Sequence, residues 1–364
     1  MKKIGNSFSG IIGGIVFILI GVILLWWNEG NNVRNLKTTG EMEKTYIDVK
    51  SDTINPENEG KLIATYGPLI NEEELTDETF NVTLKTPVLQ RIVEVYQWQE
   101  SQNTDDDGNT TYSYSKVWSN EIISSDNFAK SGHDNPAMKL YEDEKNLSSD
   151  VRVGAFTLSS NQVDMLSTDG TFNEFDSAKA EEMKLHISGN YLTTSEDLNK
   201  PAIGDTRISF VYNNSTDVSV LAVQSGNTFT DFVSKVGKSI NRVMDGTHSG
   251  KEMINVIKKE NKILKWALRA AGLLLCTIGF LTILKPISAT TSYIPVLGSV
   301  VGGVVGLISF ILGLALSLVV IAIAWIRFRP TLGLILLAVV IALVVFLIIR
   351  GKNSKVAETS EASN

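Results

Sequence analysis

The apolar positions of this chain gather at its two ends. One uncharged run, 10–27, lies near the start, and three more crowd the end around 266–284, 300–325 and 331–349. A hydrocarbon layer about 30 Å thick is crossed by roughly 20 apolar residues in helical form, and each run is close to that length. The pattern predicts a membrane protein with four transmembrane α-helices, at 8–28, 266–284, 300–325 and 331–349, and a polar tail at 351–364. Between the first two helices, 30–250 reads as a large soluble domain. Its segments 62–66, 89–98, 110–118, 151–158, 206–212 and 218–223 are rich in β-branched and aromatic residues, as strands are. Val93, Val95 and Gln97 alternate with Glu94, Tyr96 and Trp98. Thr104-Asp105-Asp106-Asp107-Gly108-Asn109 has turn chemistry and joins two aromatic strands into a hairpin. With short helices expected near 72–79 and 161–167, the domain is a β-rich α+β fold.

Small residues mark helix faces in the spans. Gly10, Gly14 and Gly21 fall on one face of the first helix, and Gly298, Gly302, Gly306 and Gly313 on one face of the third. Such faces let helix backbones approach in lipid, either within one chain or between copies. No charged residue occurs between Pro286 and Ile326 or between Pro330 and Ile349, which weighs against a pump or ion-coupled transporter. Pro286 and Pro295 are expected to break the long apolar stretch, leaving an interfacial segment ahead of the third helix. An amphipathic helix is predicted at 251–265. Lys251, Lys258, Lys262 and Lys265 share a face, with Met253, Val256, Ile257, Ile263 and Leu264 largely turned away. Its lysines could meet anionic headgroups, or its apolar face could pack on the domain. Arg269, one turn into the second span, is placed to reach the headgroups.

Composition refines this picture. The mean hydropathy is only +0.07 because a polar middle dilutes apolar ends. The net charge of −7 argues against a general nucleic-acid binder. The one cysteine, Cys276, permits neither an intrachain disulfide nor a cysteine-based zinc site. Lys2 and Lys3 precede the first run, which ends at Trp26-Trp27 without a small-residue cleavage site. It reads as an uncleaved anchor with an interfacial aromatic pair. That anchor predicts termini inside and the domain outside, although Lys and Arg counts near the spans are balanced.

Candidate chemistry is sparse. His133, His186 and His248 are far apart and belong to no nucleophile or metal signature. The acidic tip Asp105–Asp107 reads as solvated rather than as a Ca²⁺ site. The expectation is a non-enzyme with no catalytic residue, cofactor or metal.

Several motifs recur in a recognisable order: Asn28-Glu29-Gly30, Pro56-Glu57-Asn58-Glu59-Gly60, Tyr96-Gln97-Trp98, Tyr112-Ser113-Tyr114 with Trp118, and Glu121-Ile122-Ile123. Gly132-His133 with Asn135-Pro136, Gly204-Asp205 with Arg207, Leu268-Arg269-Ala270-Ala271-Gly272 and Arg329-Pro330 follow. In that order and spacing the chain resembles the LUMA family (transmembrane protein 43) over about 27–330. The resemblance implies four spans and a large domain after the first. It also implies a role in organising membrane protein complexes, with self-association, at the endoplasmic reticulum and inner nuclear membrane of eukaryotes and with the domain in the lumen. This chain lacks the long polar N-terminal extension of animal members, which points to a bacterial plasma-membrane homologue. The family supplies no catalytic residues. Structural roles are expected for its motifs: Gly30 and Gly60 ending turns, Pro56 setting one, and Trp98 and Trp118 in the core. The expected function is a multi-pass scaffold whose partners are membrane lipids, other membrane proteins and a second copy of itself. The alternatives are a membrane-anchored sensor of a lipid or envelope ligand, and a channel subunit.

Overall fold

The computed structural model describes residues 2–104, 109–291, 295–331 and 335, with side chains described for 10–104, 109–285, 303–331 and 335. Its α-helices are α1 (Lys2–Thr45), α2 (Ser160–Val163), α3 (Ser177–Glu182), α4 (Gly250–Thr291) and α5 (Pro295–Phe328). The chain divides into two compact units. One holds residues up to Lys37 and from Lys258 onward; the other is Thr38–Ile257.

Among the described residues three helices, not four, are long and apolar enough to cross a membrane: α1 from Gly10, α4 as far as Lys285, and α5 from Gly303. The expected fourth span, 331–349, lies outside the described residues except for 331 and 335. Helix α1 runs well past the expected end at residue 28. No proline interrupts 28–45, and Asn28, Asn31, Asn32, Asn35, Thr38, Thr39 and Met42 are buried at helical spacing while Arg34, Lys37 and Lys44 are exposed. The polar stretch is thus an amphipathic continuation of the span. Helix α4 likewise absorbs the segment 251–265 and continues past Pro286, so that proline does not end it; α5 opens on Pro295, a residue suited to a first helical turn.

The strands of the second unit begin with β1 (Ile47–Asp48), β2 (Leu62–Asn71), β3 (Leu75–Asp77), β4 (Val82–Leu84), β5 (Val88–Thr104) and β6 (Thr110–Ser119). Then come β7 (Glu144–Leu147), β8 (Val151–Val153), β9 (Phe156–Thr157), β10 (Gly170–Thr171), β11 (His186–Ser188), β12 (Tyr191–Thr193) and β13 (Thr206–Tyr212). The last are β14 (Asp217–Ser225), β15 (Thr228–Thr230), β16 (Phe232–Val233), β17 (Ser239–Ile240) and β18 (Arg242–Asp245). They form two seven-stranded sheets, with two small two-stranded ones. The first has the order β15-β14-β2-β8-β9, with β1 on β2 and β18 on β14. The second runs β11-β12-β13-β5-β6, with β10 on β13 and β7 on β5.

Strands β2 and β14 are apolar on both faces because both faces are covered. Ile63, Val218, Val220 and Ala222 pack with Val151, Val153 and Phe156 on one side. Leu62, Ala64 and Leu221 pack with Met42 of α1 and Met253, Ile254 and Ile257 of α4 on the other. The apolar face of the first turns of α4 therefore rests on the domain's own sheet. The second sheet has its own core, in which Leu89, Val93, Ile208 and Phe210 meet Leu75, Phe80, Leu185 and Leu192. At its edge Arg91 is buried and holds Asp77 at 2.5 Å and Glu144 at 2.7 Å.

Two local expectations change. The helix expected near 72–79 is instead the β3–β4 hairpin, because Leu75 and Asp77 turn inward with period two. The strand expected over 151–158 is cut into β8 and β9. Gly154 there has φ +59°, and a Cβ on it would stand 2.3 Å from the Ser51 carbonyl oxygen, so the chain must turn at a glycine.

Candidate functional site

The long hairpin β5–β6 pairs from Val95↔Ser119 out to Thr104↔Thr110. Its acidic tip, Asp105–Asp107, lies outside the described residues. Inward positions Val93, Val95 and Gln97 are buried, while Glu94, Tyr96 and Trp98 are half-buried on the opposite face. Register then decides what surrounds them. Tyr96 lies opposite Trp118 and Trp98 opposite Lys116 on β6, and Glu94 lies opposite Arg207 on β13.

Those pairs build a ladder of aromatic rings and cations. Arg207 donates to both carboxylate oxygens of Glu94, at 2.7 and 2.9 Å. Its guanidinium sits 4.6 Å from the Trp118 ring centre and 4.8 Å from that of Tyr191. Tyr96 meets Trp118 at 5.1 Å, and the Lys116 ammonium lies 4.8 Å over Trp98. His133 stacks on Tyr114 at 3.7 Å and meets the edge of Trp98 at 4.7 Å. Tyr114 donates its hydroxyl proton to Glu100, and burial together with that carboxylate pushes its phenol above the usual range. Trp98 and Trp118, expected in the core, are half-buried members of this face.

A polar clamp on the same hairpin holds the segment that follows it. Gln97, fully buried, donates to the Glu121 carbonyl and accepts from the Ile123 amide, both at 2.9 Å. Asn135 accepts from the Trp98 amide at 2.7 Å, and its own amide donates to the Trp98 and Ile123 carbonyls at 2.8 and 3.0 Å. The Tyr96 backbone pairs with Gly204 and Asp205. Motifs scattered from residue 96 to 207 thus converge on one hairpin. Gly60 does occupy a turn with φ +71°, and Pro56 opens a short 3-10 turn capped by Asn55. Gly30, in contrast, lies inside α1. An added Cβ there would stand 2.9 Å from the Phe328 ring, so it serves close approach rather than a turn.

In the apolar unit the helices meet at a seam of small residues. A Cβ on Gly14 would stand 2.6 Å from the Gly279 carbonyl oxygen, and one on Gly21 would stand 2.8 Å from the Cys276 sulfur. Gly313 meets Thr277 in the same way at 2.5 Å. Among the described residues nothing stands within 4 Å of a Cβ on Gly10 or Gly306, and Gly298 and Gly302 lie outside the residues with described surroundings. The partners Gly272 and Gly279 were missed in sequence, although their spacing of seven matches that of Gly14 and Gly21.

The same unit buries a polar set. Glu29, fully buried, accepts from Arg269 through Oε1 and from the Trp325 indole through Oε2 at 2.8 Å. Asn28 donates to the Lys265 carbonyl at 3.1 Å, and Asn35 donates to Asn261 at 2.6 Å. Arg269, expected to reach the headgroups, pairs with Glu29 and is mostly buried. Lys251 and Lys262 are exposed, Lys258 and Lys265 half-buried, and Lys265 lies 5.5 Å over Trp266. Among the described residues no group of three His, Cys, Asp or Glu could hold a metal ion. His186 is on β11, and His248 is tied to Ser219 and the Asp245 carbonyl, so the three histidines do not meet.

Comparison with known proteins finds relatives over most of the chain. The family model described as transmembrane protein 43 matches residues 95–330. The human transmembrane protein 43 is 30% identical over 374 residues, covering 96% of this chain and 92% of its own length. The rat protein is also 30% identical, covering 91% and 87%, and a homologue from Drosophila melanogaster is 26% identical over 89% and 90%. No solved structure matches.

Proposed function

The chain belongs to the transmembrane protein 43 family, and from that premise we propose that it is a non-enzymatic scaffold that gathers other membrane proteins. The observation that carries this reading is the ladder of Tyr96, Trp98, Trp118, Lys116 and Arg207, held half-exposed on a rigid hairpin. Aromatic rings and arginine are the side chains that concentrate at protein interfaces, where large rings contribute contact area at small entropic cost. Every charge on the ladder that faces a carboxylate is already paired inside it, as Arg207 is with Glu94. A partner would therefore meet flat rings, the paired Arg207 and the exposed Lys116 over Trp98, a mix that suits a protein surface.

In this reading the domain lies outside the cytoplasm and both termini inside it, as the Lys2-Lys3 anchor suggests. Self-association would use helix faces beside open space, such as that of Gly306. Crosslinking and affinity purification from native membranes tests the proposal. The wild type should bring down a recurring set of membrane proteins, and Trp98→Ala/Trp118→Ala should lose it while keeping the fold. A partner set unchanged by that variant would remove the ladder from the mechanism.

A further inference from the structure

Helices α1 and α5 leave a cavity of about 710 Å³ whose lining includes Trp26, Trp27 and Phe328 together with Arg34, Lys37 and Arg327. Trp26 and Phe328 touch at 5.4 Å, and Gly30 admits the Phe328 ring. Among the described residues no acidic side chain lines the cavity. The nearest carboxylate in sequence, Glu29, is not among the lining residues and is occupied by Arg269 and Trp325. None of the three cations forms a carboxylate pair among the described residues.

The position gives this chemistry a meaning. The tryptophans close the apolar run of α1, where aromatic belts mark the edge of the hydrocarbon. Arg34 and Lys37 follow two and three turns later, and helical side chains lean toward the N-terminus of their helix, here back toward that edge. An apolar slot continuous with a cationic rim fits a molecule with acyl chains and a phosphate. We propose that this cavity is a binding site for one anionic phospholipid, its phosphate held by Arg34, Lys37 and Arg327 and its chains laid against Trp26 and Phe328. Basic pockets between membrane helices hold anionic headgroups in this manner. A general membrane surface would not need the slot, and a free phosphate would not need the rings.

The test uses full-length protein in detergent micelles offered equal phosphatidylglycerol and phosphatidylcholine, with retained lipid counted by native mass spectrometry. The wild type should prefer phosphatidylglycerol by roughly tenfold or more, given three cations at the headgroup. Arg34→Gln/Lys37→Gln/Arg327→Gln should bring the ratio near one. A ratio unchanged in a folded triple variant overturns the site. Displacement of the lipid by soluble glycerol phosphate overturns it too, in favour of a free phosphate. Should the triple variant not fold, lipids brominated on the acyl chains decide. Brominated phosphatidylglycerol should quench wild-type tryptophan fluorescence more than brominated phosphatidylcholine, and Trp26→Phe/Trp27→Phe should abolish the excess. Equal quenching of the wild type by both lipids overturns the proposal.

Discussion

Arg269 points two donors, 2.7 and 2.6 Å away, at a single carboxylate oxygen of Glu29, and Trp325 occupies the other oxygen. Three helices therefore share one buried charge pair beside the Trp26-Trp27 belt. Breaking such a pair leaves an uncompensated charge and costs about 3–5 kcal/mol, whereas replacing both partners can be close to neutral. Arg269→Ala should lower the thermal unfolding temperature in micelles sharply, and Glu29→Gln/Arg269→Met should recover much of the loss. Additive effects in this double-mutant comparison would show that the pair is not coupled.

The glycine seam predicts a sharp contrast between two positions. Gly14→Leu drives a side chain into the Gly279 carbonyl and should cost at least about 1–3 kcal/mol by overpacking. Gly306→Leu meets nothing within 4 Å among the described residues and should leave the unfolding temperature of the monomer almost unchanged. If copies associate through that face, the same Gly306→Leu should reduce the oligomer seen by crosslinking in detergent.

Asp245 predicts an acid response. Burial pushes its carboxyl up, but hydrogen bonds from Ser215, Ser167 and Asn213 outweigh that and hold it below the usual range. A lowered folded pKa stabilises above the unfolded value of about 3.9 and is lost as pH falls through the folded value. Asp77 has the opposite sign, since burial raises it against Arg91 and the Phe80 amide. The whole-protein profile therefore mixes the two, and the difference between wild type and Asp245→Asn isolates one. The variant should lose about 1–3 kcal/mol at neutral pH and show a flatter stability profile below about pH 4 in denaturant titrations.

Topology can be read with an impermeant thiol reagent, because the native Cys276 is buried. In intact cells Ser101→Cys on the hairpin should label and Ser360→Cys should not. The reverse pattern would place the domain inside.

Alternation made the second sheet legible: Val93, Val95 and Gln97 face inward as their period of two requires, and 206–212 is a strand with those bounds. The hairpin was legible for the same reason. The extension of α1 to Thr45 was not, because its buried face is made of Asn and Thr rather than of apolar residues, and polar residues at helical spacing resemble a loop. The Arg269–Glu29 pair was hidden by sequence distance, 240 positions, although opposite charges at matching depth in two spans were a usable signal. The ladder was half legible. Its aromatic residues stood out as motifs, but only the register of β13 on β5 brings Arg207 to Trp118.

Asn135 takes up both the amide and the carbonyl of Trp98 with one side chain. Beyond Val95, where β13 stops pairing, the outer rim of β5 would be an open row of donors and acceptors. Such a rim accepts any extended chain that drifts past, including another copy of the same strand. The Gly204-Asp205 turn closes it at Tyr96 and Asn135 closes it at Trp98. A carboxamide thus stands in for a missing strand, and the hairpin can show its rings to a partner without offering its backbone for fibre growth.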